Sequence, residues 1–99
     1  MTKQQLMQEL QSGEKIRLID VRNPDEFSAG ARVEGSENIP ADEVLKMAEE
    51  GMISKDEKIV AICKGGKRCG MVAEELKGKG FNIDHLEGGV DAWVAPENS

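Results

Sequence analysis

Aromatic residues are nearly missing from this chain: Phe27, Phe81 and Trp93 are the whole set, with no tyrosine. Its interior must therefore be filled by Leu, Ile, Val and Met. No apolar run approaches the about 20 residues that a membrane span needs. The N-terminus, Met1 to Gln11, is polar and helix-like, not a basic stretch leading into an apolar one, so a signal peptide is not expected and the expected location is cytoplasmic. Two cysteines are too few for a disulfide framework, and in such a compartment both are expected to be reduced. Cys63, Cys69 and the single His85 lack the paired spacing of a structural zinc site, so no metal is expected. Repeats, linkers and low-complexity stretches are also missing. The chain reads as one domain over residues 1–95, with residues 96–99 as a loose tail.

What is there begins with charge. The 99 residues carry a net charge of −6, which argues against nucleic acid or an anionic membrane as partner. The distribution is uneven. An even spread of the 19 acidic residues would put about three between Lys58 and Ala73, but that segment has none. It holds Lys58, Lys64, Lys67 and Arg68 instead, and an acidic body with one basic segment suggests a local anion site.

Strand and helix patterns alternate along the chain. Thr2 to Gln5 has capping-box spacing ahead of Leu6 and Leu10, and Gly13 stops that helix. Ile16 to Val21 is a short apolar strand. Asn23-Pro24-Asp25-Glu26 opens a second helix, with Gly30 as its stop. Ser36 to Ile39 is a weak strand closed by Pro40, and Asp42 to Glu50 is a helix. Lys58 to Cys63 is a β-branched apolar run of the length of a buried central strand. After the loop Lys64-Gly65-Gly66-Lys67, a helix runs from Arg68 to Lys77. Phe81 to Leu86 is a strand, Gly88-Gly89 a turn, and Val90 to Val94 a final helix. This alternation implies an α/β fold with a parallel sheet covered on both faces. Ligands bind such sheets beyond the carboxyl ends of the strands, and Cys63 sits there.

The surroundings of Cys63 favour its thiolate. Gly65 and Gly66 let the backbone curl so that N–H groups point inward, a helix N-terminus follows, and Lys64, Lys67 and Arg68 add positive charge. A lowered pKa and a nucleophilic sulfur are expected. The same cradle suits a small anionic sulfur donor and then a persulfide anion, with no metal or organic cofactor. The plain alternative is that Cys63 is a buried strand-end residue acting as a small hydrophobe. The glycines, the three cations and the strand-loop-helix context weigh against it. A P-loop is set aside because its Lys-Ser/Thr ending is missing.

Cys63-Lys64-Gly65-Gly66-Lys67-Arg68, entered from an apolar strand, resembles the active-site loop of rhodanese domains. Leu18 to Phe27, with Gly35 and Asn38-Ile39-Pro40, resembles the family's N-terminal signature. Leu86-Glu87-Gly88-Gly89-Val90-Asp91-Ala92-Trp93 resembles its C-terminal one. The resemblance implies a three-layer domain with a parallel sheet of four or five strands flanked by helices. It implies a sulfurtransferase that moves sulfane sulfur from thiosulfate, a polysulfide or a protein persulfide to a thiol, cyanide or partner-protein acceptor. Cys63 is then the catalytic nucleophile that carries the persulfide, and the amides from Lys64 to Arg68 bind the donor.

The chain departs from the family pattern at three places. Gly30-Ala31-Arg32-Val33 stands where Gly-His-Ile is common, and that region often borders the site mouth. Cys69 replaces a small or hydroxyl residue, and two readings of it stay open: packing alone, or a resolving thiol that attacks the Cys63 persulfide. The helix N-terminus is expected to lower the Cys69 pKa too. The strand common before the first helix is nearly absent.

Other marked residues read as structural: Asp20, Arg22 and Glu26 as an ion network, Trp93 as a core anchor, His85 as a strand residue. Rival functions are a non-catalytic sulfur-carrier module in a larger assembly, and a cysteine-based phosphatase or arsenate reductase. The latter enzymes have a loop one residue longer than Lys64 to Lys67, wide enough for a tetrahedral oxyanion.

Overall fold

The strands are Arg17–Asp20 (β1), Glu37–Asn38 (β2), Ile59–Ile62 (β3) and Ile83–His85 (β4). The helices are Lys3–Gln11 (α1), Pro24–Ala29 (α2), Ala41–Glu49 (α3), Lys67–Gly78 (α4) and Gly89–Val94 (α5). These come from a computed structural model that describes residues 1–95; the expected tail, 96–99, lies outside the described residues. The strands form one parallel sheet in the order β2-β1-β3-β4. The alternation of strands and helices accounts for this, because a parallel neighbour needs a crossover, and here the crossovers are helices.

β3 is the centre. All four of its residues are buried, and it pairs with β1 through Leu18–Val60, Ile19–Ala61 and Asp20–Ile62. Strand side chains alternate between faces, so β3 feeds two cores. Ile59, Ala61 and Cys63 join Val44 of α3 and Val72, Ala73 and Leu76 of α4 on one face. Val60 and Ile62 join Leu6 of α1 and Val90 of α5 on the other, with Trp93 packed against that group. At roughly 1.5–3 kcal/mol for each large aliphatic side chain removed from water, these cores fix where β3 ends, and so where Cys63 stands.

The caps read from sequence are in place. Thr2 Oγ1 accepts the Gln5 N–H at 3.2 Å, and Gln5 Oε1 accepts the Thr2 N–H at 2.8 Å. The Asn23 N–H donates to Glu26 at 3.1 Å at the start of α2. Among the described residues the sheet has four strands, and beside β4 Met1 accepts the Glu87 N–H at 2.8 Å and donates to the His85 carbonyl at 3.0 Å.

Candidate active site

α4 has a glycine, Gly66, at its N-cap, so no side chain of its own covers the first N–H groups. The Cys63 sulfur takes that role. The Gly66 N–H donates to Sγ at 3.0 Å and the Cys69 N–H at 3.3 Å, and the Arg68 N–H adds a further bond. Gly66 reaches this geometry with φ of +98°, and a Cβ there would lie 2.9 Å from the Gly88 nitrogen. Gly65 is different: nothing lies within 4 Å of a Cβ placed on it, and its φ is not positive. The curl expected of both glycines is therefore made by Gly66.

The second cysteine is the main addition to the sequence reading. Cys69 is fully buried in the first turn of α4, and its Sγ lies 3.2 Å from Cys63 Sγ, within hydrogen-bond distance for sulfur. That bond is the largest cause of a Cys63 pKa lowered to about 5; the amides of Cys69, Gly66 and Arg68 assist, and burial opposes them. The same contact, with burial, raises the Cys69 pKa. This corrects the expectation of a lowered Cys69 pKa: one proton is held between two sulfurs, and it stays on Cys69.

The cations do not crowd the sulfur. Arg68 points to Glu26 in a two-bond pair at 2.8 and 3.0 Å, which holds the Glu26 carboxyl down at about 2. Lys58 pairs with Glu9 and Glu14 at the opposite end of β3. The basic segment is thus split, and Lys64 in the loop and Lys67 at the start of α4 are solvent-exposed. Of the expected cradle, Gly66 and Arg68 contribute amides to the sulfur. Cys69 extends the cradle by one residue, which the loop motif did not indicate.

Neighbouring elements hold the loop in shape. A Cβ on Gly89 (φ +58°) would overlap the Cys63 carbonyl oxygen and lie 2.5 Å from that of Lys64. Because there is none, α5 comes close enough for the Val90 and Asp91 N–H groups to donate to those two carbonyls at 2.8 and 3.0 Å. Asp20 and Arg22, both buried, form a two-toothed pair, and Arg22 also donates to the Ala31 carbonyl at 3.1 Å. Glu26 belongs with Arg68 and not chiefly with that pair. Gly30, Ala31 and Lys64 line a groove of about 390 Å³ with Arg22, Glu26 and Asp91, so the departure from the family pattern borders the loop. The His85 ring lies against Gly70 of α4. Cys63, Cys69 and His85 form no three-ligand cluster among the described residues.

A thiol held as thiolate by main-chain N–H groups, between a parallel strand and a helix, defines a cysteine-centred α/β domain. The chain belongs to the rhodanese-like domain family, whose model matches residues 2–96. Among solved structures it is similar to a rhodanese-like domain protein from Staphylococcus aureus, with 28% identity and a TM-score of 0.80, covering 99% of this chain and 92% of that one. A rhodanese-related protein from Thermoplasma volcanium is similar at 29% identity and a TM-score of 0.78, over 95% and 88% of the two chains. A tRNA uridine(34) hydroxylase from Escherichia coli O1:K1 / APEC is 42% identical over 77 residues, 73% of this chain. The match spans only 22% of that relative's length.

Proposed function

We propose that this domain is a sulfurtransferase in which Cys63 carries sulfane sulfur as a persulfide. The observation that carries this reading is the Cys63 sulfur itself, held by N–H groups at the start of α4 that lower its pKa. The thiolate attacks the outer sulfur of thiosulfate, the S–S bond breaks, and sulfite leaves with the electron pair. Polysulfide or a protein persulfide serves in the same way. The amide groups that hold the thiolate then hold the persulfide anion. An acceptor thiolate or cyanide takes the outer sulfur, and Cys63 returns as thiolate.

A cradle closed on one sulfur supports this chemistry over oxyanion transfer, for which Arg68 would have to face the sulfur; it faces Glu26. Working thiols require a reducing compartment, so the proposed location is the cytoplasm. A carrier role is the second reading. It is favoured by the relative in which the matching segment is 22% of the length, and by Cys63 being only 1% exposed. The hydroxylase activity in that relative's name belongs to the longer protein.

Two measurements test these readings. After thiosulfate or polysulfide, intact mass should show one added sulfur atom on the wild type and none on Cys63→Ala. Equal loading of a folded Cys63→Ala protein would sink the proposal. Steady-state turnover with thiosulfate and cyanide marks an enzyme; single loading without turnover marks a carrier.

A further inference from the structure

Besides lowering the Cys63 pKa, Cys69 is a thiol that sulfur transfer to an outside acceptor does not consume. Like Cys63 it is buried, at 0% exposed. Its sulfur lies 3.2 Å from the sulfur that would carry the persulfide. Cys63 is 1% exposed, so in this conformation the nearest thiol to its sulfur belongs to the same chain.

We infer that Cys69 resolves the Cys63 persulfide, giving the domain a second activity, the reductive release of sulfide with formation of a Cys63–Cys69 disulfide. This rests on the persulfide of the proposed function. In the step, Cys69 Sγ attacks Cys63 Sγ, the inner sulfur. The Sγ–S bond of the persulfide breaks and its electron pair leaves on the outer sulfur. The Cys69 proton goes to that departing sulfur, so the products are one disulfide and hydrosulfide. The two cysteines are oxidised and the sulfane sulfur is reduced, and no outside oxidant is needed. A dithiol or two external thiols then return the pair to its reduced state.

The geometry suits the step. A disulfide needs about 2.0 Å between sulfurs, so they have only about 1 Å to close. Both lie at the meeting of β3 and α4, and helical Cβ bonds tilt towards the N-terminus, which turns Cys69 back onto Cys63. The proton that the leaving sulfur needs is on Cys69, where burial favours the thiol.

The test uses the full chain, loaded with polysulfide after reduction and then freed of small thiols. Wild-type protein should lose the added sulfur and release about one sulfide per chain, with a Cys63–Cys69 peptide found by mapping. Cys69→Ser should keep the added sulfur and lose the sulfide release. Wild type that retains its persulfide as long as Cys69→Ser does would overturn the inference while leaving the persulfide reading intact. If neither protein gains sulfur, both fall. Where Cys69→Ser folds poorly, wild type alone decides: a loaded wild-type chain that keeps its added sulfur and releases no sulfide overturns the inference.

Discussion

The Cys63 sulfur occupies the place that a serine or aspartate oxygen takes at an ordinary helix start. Capping with sulfur ties acidity to the fold: the N–H groups that complete α4 stabilise the thiolate more than the thiol. The S–H of Cys69 contributes most to this, so alkylation of Cys63 by iodoacetamide should rise with pH about a midpoint near 5. The sign follows from the thiolate being the reactive form, present above that pH and lost below it. Cys69→Ala should move the midpoint upward. Neutralising Lys67 and Arg68 together should move it less, because Arg68 is held by Glu26 and its amide survives the change. A larger shift from the cation variant than from Cys69→Ala would restore cation control of the sulfur.

At the scale of elements, β3, the loop and the N-termini of α4 and α5 act as one unit. Gly89 is the joint, since α5 can bind the Cys63 and Lys64 carbonyls only where no Cβ intervenes. Gly89→Ala should cost at least about 2 kcal/mol of stability and most of the sulfur loading, from backbone overlap and a positive φ together. Gly78→Ala is the control, because nothing lies within 4 Å of its Cβ position and it ends α4. Urea denaturation of the two variants reads the contrast, and equal stability would rule out the joint. The elements were legible in the sequence where their causes are local. The Thr2 and Asn23 starts, Pro24 and the apolar run of β3 each carry their signal within a few residues. Cys63 was legible for the same reason, as a cysteine between a strand and a glycine loop. The partner of Arg68, the contact of Gly89 with Cys63 and the aim of the Cys69 side chain were not. Each depends on how distant segments pack, and the last on an angle about the α4 axis that residue spacing leaves open.

For the whole molecule, the thiol pair links stability to pH. In the unfolded chain both thiols titrate near about 8.5. Folded, Cys63 titrates at about 5, and Cys69 is raised. Between about pH 5 and 8.5 the unfolded chain holds a proton on Cys63 that the native one lacks, so stability rises with pH, by at most about 1.4 kcal/mol per unit. That contribution is complete above the unfolded value and lost as pH falls through the folded one. Cys69 acts in the opposite sense: above about pH 8.5 the unfolded chain gives up a proton that the native one keeps, and stability falls again. With both sulfurs buried, solvent screens neither effect much. The carboxylates, which cover an acidic body of net charge −6, are shared by a variant lacking the pair and drop out of the comparison. The difference in unfolding free energy between reduced wild type and Cys63→Ala should therefore widen from about pH 5 to about pH 8 and narrow above it. Denaturant titrations across that range measure it. A difference that stays constant with pH would mean that the two sulfurs share no proton, and that Cys63 enters the fold as an ordinary buried thiol.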